Sequence, residues 1–146
     1  MSRTSENLIS ELKTEYKQDI EVKESTQIEI YIDINIFLEV IRKVKDYGFD
    51  FLVDLTAVEE EGLSCVYHFI SLATRELMRI KVKLDEKLEI PSLTRYWLAA
   101  NVQEREVYDL FGVSFIGHPE LKRILCPDDF KGHPLRKDFK VISRRE

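Results

Sequence analysis

Hydrophobic side chains in the first third of the chain follow two periods, one helical and one typical of strands. Residues 5–17 predict an amphipathic helix whose apolar face consists of Leu8, Ile9, Leu12 and Tyr16. Isoleucine and valine then alternate with charged residues over 20–22 and 28–32, which indicates a hairpin of half-buried strands. A second helix is predicted over 36–47, with Asn35 as its N-cap and Gly48 at its end.

Three further strands are predicted between residues 49 and 84. In the first, one face is expected to carry Phe49, Phe51, Val53 and Leu55, opposite Asp50 and Asp54. Residues 65–72 are apolar on both faces, which is typical of a central strand, and residues 78–84 alternate with basic residues. The order of elements predicts an α+β fold. We expect a two-layer sandwich, with two helices on one face of a mainly antiparallel or mixed sheet of about five strands.

The last third of the chain loses this regularity. A short helix is predicted over 93–98 and another over 101–111, and three of the four prolines and three of the five glycines lie from Gly112 onward. We therefore expect a single domain overall. Residues 1–112 would form the α+β body with its closing helix, and residues 113–146 an extended C-terminal interaction arm.

Composition indicates a soluble globular protein with an uneven charge. The chain has 146 residues and a net charge of −5, yet residues 117–146 carry eight Lys or Arg against five Asp or Glu. A basic segment on an acidic body suggests an interaction arm with a protein partner. No apolar run approaches the roughly 20 residues that span a bilayer. The polar residues 1–11 contain no signal-peptide core, so a cytosolic location is expected, with Cys65 and Cys126 as free thiols.

The predicted helix 101–111 carries a carboxylate within its apolar stripe. The stripe comprises Val102, Glu106, Val107, Leu110 and Phe111. The opposite face comprises Glu104, Arg105, Tyr108 and Asp109. Arg105 and Asp109 are four residues apart and can pair on the helix surface. Glu106 either reaches past the stripe to water or is buried and paired with an arginine such as Arg123 or Arg136, and the pattern leaves both alternatives open.

The candidate chemical groups of this region do not form a recognised active site. Glu104 and Glu106 diverge on a helix, whereas an acid–base pair must converge on one bond. The spacing of His118, Cys126 and His133 matches no compact zinc pattern, and each histidine is expected in a turn with its imidazole bonded to the backbone. No phosphate loop, Cys-x-x-Cys pair or nucleophile elbow occurs. The sequence therefore predicts no catalytic, cofactor-binding or metal-binding residue.

Two blocks carry a family resemblance that spans nearly the whole chain. The first reads EREVYDLF over 104–111, followed after six residues by His118 and then by KRIL over 122–125. The second reads GHPLRKD over 132–138. Together they resemble the signature of the C subunit of NADH:quinone oxidoreductase, respiratory complex I, and the preceding order of helices and strands is similar to that family's fold.

The resemblance implies a cofactor-free structural subunit of the peripheral arm, on the cytoplasmic face of the cell membrane. It would support electron transfer to quinone by scaffolding the hydrogenase-like large subunit of the D type, with iron–sulfur clusters in partner subunits. Interface or scaffold roles, and no catalytic ones, carry over to Glu104, Arg105, Glu106, Asp109, His118, Arg123, Arg136, Lys137 and Asp138.

Several alternatives stay open beside this interpretation. Lys140 stands where the family often has proline, and the chain ends at Glu146, as in shorter relatives. An equivalent subunit of a membrane-bound hydrogenase or of another ferredoxin- or F420-linked relative of complex I is therefore the alternative within the family. A free-standing enzyme using Glu106 and His118 is disfavoured by the missing cofactor motifs. A nucleic-acid-binding module is disfavoured by the acidic body.

Overall fold

The computed structural model describes residues 1–141, so the last five residues of the expected arm, with Arg144 and Arg145, lie outside the described residues. The helices are α1 (Arg3–Tyr16), α2 (Phe37–Asp46) and α3 (Ala100–Phe111). The strands are β1 (Ile20–Glu24), β2 (Ile28–Ile32), β3 (Phe51–Glu60), β4 (Gly62–Ile70), β5 (Leu77–Lys83), β6 (Glu89–Pro91) and β7 (Ser114–Ile116). Short 3₁₀ turns cover Lys17–Asp19 and Ile34–Ile36.

The five longer strands form one mixed sheet in the order β1-β2-β5-β4-β3. The β2–β5 pair is parallel and the other three pairs are antiparallel. β5 and β4 are flanked by strands on both sides, in agreement with the apolar pattern of residues 65–72. The predicted α+β fold with a mixed sheet of about five strands is confirmed.

The helices α1 and α2 contribute the predicted apolar faces to a single core. Their buried side chains are Leu8, Ile9 and Leu12 from α1 and Phe37, Val40, Ile41 and Val44 from α2. The sheet contributes large buried residues such as Tyr67, Phe69 and Met78. The ring centroids of Phe37 and Tyr67 lie 5.3 Å apart, which joins α2 to β4 across the layers.

The predicted cap of the second helix is wrong. The carboxylate of Asp33, not the side chain of Asn35, provides the local hydrogen bond, and it accepts the Asn35 N–H at 2.9 Å. This bond begins the 3₁₀ turn Ile34–Ile36, and α2 follows at Phe37 without a side-chain cap. The inserted turn explains why a cap placed directly before the helix fails.

The predicted face of the third strand is also wrong, because β3 contains a bulge. Its register against β4 shifts between Leu52 and Asp54. As a result Leu52 and Leu55 are buried, whereas Phe51 and Val53 are 54% and 51% exposed. A strict period of two cannot follow a strand across an extra residue.

The predicted helix over 93–98 is absent, and the chain turns there instead. The amides of Tyr96 and Trp97 both donate to the carbonyl of Leu93, at 2.9 and 3.0 Å. The indole Nε1–H of Trp97 donates to the Asp50 carbonyl at 3.0 Å, and its ring packs 5.0 Å from that of Phe69. The turn thus fastens the chain before α3 to the start of β3.

A second, smaller sheet connects the body to the last part of the chain. β6 and β7 pair in parallel, with Ile90 opposite Phe115. Val113, Ile90 and Phe115 are buried, so the beginning of the expected arm joins the hydrophobic core. Within residues 1–141, no helix has both the length and the hydropathy to cross a membrane.

Candidate functional site

The carboxylate of Asp109 is the main anchor between α3 and the C-terminal segment, which we define as residues 117–141. Asp109 is fully buried. Its Oδ2 accepts the backbone N–H groups of Ile124, Leu125 and Cys126 at 3.1, 2.7 and 2.8 Å. Its Oδ1 accepts from Arg123 Nη1 at 3.1 Å. Four donors therefore satisfy one buried charge, as burial of a carboxylate requires.

The hydrogen bonds also decide the ionisation of this group. Burial acts to raise the pKa of the Asp109 carboxyl, but the amides of Cys126, Leu125 and Ile124 outweigh it, so the pKa lies below its ordinary value of 3.8. A depressed pKa stabilises the fold above the ordinary value, and this contribution is lost only as the pH falls through the lower, folded value. The anchor is therefore ionised at neutral and mildly acidic pH.

Two arginines hold the backbone of the C-terminal segment by donating to its carbonyl groups. Arg105 donates to the carbonyls of Lys122 and Arg123, at 3.0 and 3.2 Å. Arg123 donates from Nη2 to the carbonyl of Gly132 at 2.7 Å. The predicted pairing of Arg105 with Asp109 is wrong, because the Asp109 carboxylate is buried under the segment and takes Arg123 as its cation.

The histidines of the two Gly-His-Pro triplets bond to the backbone, as predicted. His118 Nδ1 accepts the Glu120 N–H at 2.9 Å, so Nε2 carries the proton and donates to the Asn101 carbonyl at 3.0 Å. His133 Nδ1 donates to the Asp109 carbonyl at 3.0 Å. Both imidazoles thus connect the segment to α3. In the part of the chain that the structure describes, no group of three or more His, Cys, Asp or Glu side chains could hold a metal ion.

The second sequence block is clamped to β3 and to the end of α3. Arg136 Nε donates to Glu59 Oε2 at 3.1 Å, and Arg136 Nη1 donates to the Phe111 carbonyl at 3.4 Å. The Lys137 N–H donates to the other Glu59 oxygen at 2.6 Å. This amide, more than the Arg136 charge, lowers the pKa of the Glu59 carboxyl against the effect of burial. Among residues 1–141, the carboxylate partner of Arg136 is therefore Glu59.

Gly112 allows α3 to end directly against His133. It adopts the left-handed conformation with φ of 81°. A Cβ atom at this position would lie 2.8 Å from His133 Cδ2 and 3.0 Å from His133 Nε2. The position therefore requires glycine both for its backbone angle and for the close approach of the imidazole.

The buried carboxylate on the core side of α3 is Glu104, not Glu106. Glu104 is fully buried, and it accepts the Leu93 N–H at 2.7 Å and the Ser92 hydroxyl at 2.7 Å. Glu106 is half-buried, and the two arginines suggested for it serve Asp109 and Glu59. The predicted stripe failed because Val102 is 47% exposed, whereas the buried face follows Ala100, Glu104, Val107 and Phe111. The spacing of four, three and four residues between these positions is helical, and it was the signal in the sequence that indicated the buried face of α3.

Glu104 differs from Asp109 in that no cation contacts it among residues 1–141. Burial raises the pKa of the Glu104 carboxyl to about 7, and the hydrogen bonds from Ser92 and Leu93 oppose this rise only in part. Burial raises the pKa of the Cys65 thiol and of the Tyr67 hydroxyl on β4, and the nearby Glu104 charge adds to both shifts. Glu104 therefore titrates near neutral pH inside the core.

The outer surface of the site combines exposed basic and apolar groups. Lys137 and Asp138 are exposed, and so are Ile124, Leu125 and Leu135 at 38%, 60% and 53%. Most polar groups of the predicted site residues are instead turned inward, where they hold the segment. The fold and the site define an α+β protein that presents an ordered C-terminal segment on its closing helix and edge strand.

Comparison with known proteins identifies the family to which this α+β protein belongs. Residues 30–145 match the family described as "Respiratory-chain NADH dehydrogenase, 30 Kd subunit". The chain belongs to this family.

Two relatives illustrate how the family is built. The C subunit of the NADH-quinone oxidoreductase of Moorella thermoacetica is 49% identical over 142 residues, which cover 93% of this chain and 95% of the relative. The C/D subunit of the NADH-quinone oxidoreductase of Acidiphilium cryptum is 43% identical over 125 residues, which cover 75% of this chain but 21% of that relative.

Solved structures agree with the fold. A trypsin-resistant fragment (1-134) of Nqo5 has a TM-score of 0.72 and 26% identity, and the match covers 81% of this chain and 99% of the fragment. A chain of the membrane-bound sulfane sulfur reductase, an archaeal respiratory membrane complex, has a TM-score of 0.80 and 25% identity. That match covers 96% of this chain and 88% of the archaeal one.

Replacement of Gly112 by alanine is expected to destabilise the protein more than the same change at Gly117. Both glycines have positive φ, at 81° and 88°, but nothing lies within 4 Å of a Cβ at Gly117. Each variant incurs roughly 1–2 kcal/mol for the left-handed backbone. Gly112→Ala adds about 1–3 kcal/mol for the clash with His133. Urea denaturation measures both, and equal losses for the two variants would contradict the close approach.

Replacement of Glu104 by glutamine is expected to remove a pH dependence of stability between about pH 4.5 and 7. In this window the folded wild type keeps a proton that the unfolded chain has released, so its free energy of unfolding falls as the pH rises. Glutamine is neutral throughout and retains an acceptor for the Leu93 amide. The advantage of the variant over the wild type should therefore grow from pH 5 to pH 8. Denaturation curves at both pH values measure it, and a constant difference would refute a raised pKa.

Proposed function

We propose that the chain is a structural subunit, without a cofactor of its own, in the peripheral arm of a complex I-type NADH:quinone oxidoreductase. In this role it supports electron transfer to quinone by scaffolding the hydrogenase-like large subunit. The family match over residues 30–145 and the 49% identical relative, which is named as a C subunit, support this proposal.

The observation that carries the proposal is that most signature residues direct their polar groups to other residues of the same chain. Asp109, Arg105 and Arg123 fix the segment to α3, and Arg136 fixes it to Glu59 of β3. These polar groups form hydrogen bonds within the chain, so their role is to hold the C-terminal segment in one conformation. Exposed apolar side chains beside a satisfied polar framework are typical of a surface that a partner covers. The nine residues of the signature therefore act as scaffold and interface residues.

The proposed partner is a large subunit of the D type, next to iron–sulfur subunits of the same complex. The relative from Acidiphilium cryptum supports it, because its name joins C and D in one protein, of which the matching part is 21%. Two subunits that exist as one chain in a relative are expected to lie side by side. In this proposal residues 1–112 form the body, and residues 113–146 form the arm, which β7 fastens at its start.

The location follows from the same assignment. A peripheral subunit of such a complex would lie at the cytoplasmic face of the cell membrane and be held there by its partners. Iron–sulfur clusters would belong to those partners.

A second candidate function is the equivalent subunit of a membrane-bound hydrogenase or of another ferredoxin- or F420-linked relative. The observation that favours it is the TM-score of 0.80 with a chain of an archaeal complex that is named as a sulfane sulfur reductase. The two candidates share the scaffold role and differ in the electron donor and acceptor.

Purification of the tagged chain from native membranes tests the proposal. We expect a hydrogenase-like large subunit and iron–sulfur proteins to accompany it in stoichiometric amounts, and the input module found with them separates the two candidates. The chain expressed alone should contain no iron, zinc or flavin. Recovery of the chain without partners, or with a bound cofactor of its own, would contradict the proposal.

Replacement of Arg136 by alanine is expected to reduce the amount of assembled complex at least roughly tenfold, because the second block loses its clamp on Glu59 and Phe111. The α+β body should remain folded, since its core does not include this side chain. Native gels measure assembly, and activity is expressed per assembled complex.

Arg95→Ala provides a matched control, because Arg95 is exposed and loses the same charge. Assembly should be normal in this variant. Normal assembly of Arg136→Ala with abolished turnover would show that Arg136 serves the chemistry directly.

A further inference from the structure

The C-terminal segment contains a cleft that none of the contacts described above occupies. It has a volume of about 430 Å³ and is lined by Lys131, His133, Arg136, Asp138, Phe139 and Lys140. Three of these residues are cationic and one is anionic. The cleft is therefore basic, on a chain whose net charge is −5.

The walls of the cleft are held in place from within the chain. His133 is bonded to the Asp109 carbonyl, and the Gly132 carbonyl accepts from Arg123 at 2.7 Å. The Phe139 ring stacks on Phe130 with centroids 5.8 Å apart. Gly132 has φ of 93°, and a Cβ there would lie 3.2 Å from the Phe139 ring. A cleft that is already formed loses little conformational entropy when it binds.

Two of the cations are available to a ligand. Arg136 is directed to Glu59 and the Phe111 carbonyl, whereas Lys131 and Lys140 are exposed and form no ion pair within residues 1–141. Lysine ammonium groups at the lip of a concave site attract carboxylates or phosphates.

The remaining lining residues distinguish between these anions. The Asp138 carboxylate also lines the cleft, and it would repel a phosphate group while accepting a hydrogen bond from a backbone N–H. Phe139 offers an apolar surface. Leu135 and Val141, next to lining residues in sequence, are 53% and 86% exposed. A peptide with carboxylates, amide donors and apolar side chains matches all of these groups.

We propose that this cleft binds an acidic segment of the partner subunit, with carboxylates on Lys131 and Lys140 and the chain of the segment along Phe139. The inference rests on the proposed function and adds to it the chemistry of the partner's contact. It predicts that the docked segment of the partner carries Asp or Glu residues interleaved with apolar ones.

The test reverses the charge of Lys131 and Lys140, the two exposed lysines that line the cleft, in the full chain. Lys131→Glu together with Lys140→Glu should weaken recovery of the partner in tagged purification roughly tenfold at physiological salt. Lowering the salt concentration should increase recovery of the partner by the wild type, because the attraction between opposite charges is less screened. It should decrease recovery by the variant, because the introduced glutamates then repel the acidic segment more strongly. Lys13→Glu together with Lys87→Glu is the control, because both residues are exposed on the body and make the same charge change.

Each outcome decides the proposal. Loss in the cleft variant with a normal control supports it. Normal recovery of the partner by the cleft variant overturns it and leaves the proposed function intact, whereas absence of the partner from the wild type overturns both. Binding of the wild-type chain to vesicles with 30 mol% (about a third) anionic lipid, lost in the cleft variant, would assign the cleft to a membrane surface and overturn it as well.

Discussion

The hydrogen bonds that converge on the buried carboxylate of Asp109 determine where the last part of the chain lies. Three successive amides and one guanidinium satisfy this charge, so the loop at residues 123–126 must remain on α3. Removing these donors would leave an uncompensated charge in the interior, which is among the most costly changes a fold can suffer. The same docking brings His133 to the end of α3. There its imidazole bonds to the Asp109 carbonyl and lies against Gly112.

α3 carries a second buried carboxylate whose environment has the opposite effect. Asp109 receives amides and an arginine and has a lowered pKa, whereas Glu104 receives one amide and one hydroxyl and has a raised pKa. The two carboxylates therefore have different structural roles. Asp109 fixes a segment through an ionised group, and Glu104 ties the turn at Ser92 to α3 through a group that loses its charge easily. The two ends of the helix are thus joined to different parts of the chain.

Much of this architecture was predictable from hydrophobic periodicity, and its exceptions have physical causes. The faces of α1 and α2 follow the helical period because apolar burial alone forms them. The bulge in β3 and the turn before α3 escaped prediction, because pairing with β4 and the anchoring of Trp97 decide them. In the candidate site, backbone contacts of the two histidines were foreseen. The burial of Glu104 was missed although the helical spacing of Ala100, Val107 and Phe111 indicated it. The burial of Asp109 was not predictable, because its hydrogen-bond donors lie 14 to 17 residues away, outside any helical pattern.

Hydrogen exchange at the amides of Ile124, Leu125 and Cys126 tests the central role of Asp109 most directly. The account predicts protection of these amides in the wild type and exchange at least about tenfold faster in Asp109→Asn, because the neutral side chain loses the charge that strengthens all three hydrogen bonds and places an NH2 group against Arg123. The strands β4 and β5 should keep their protection, and Asp128→Asn, at an exposed position, should behave as the wild type. Unprotected amides in the wild type, or unchanged exchange in Asp109→Asn, would contradict the account.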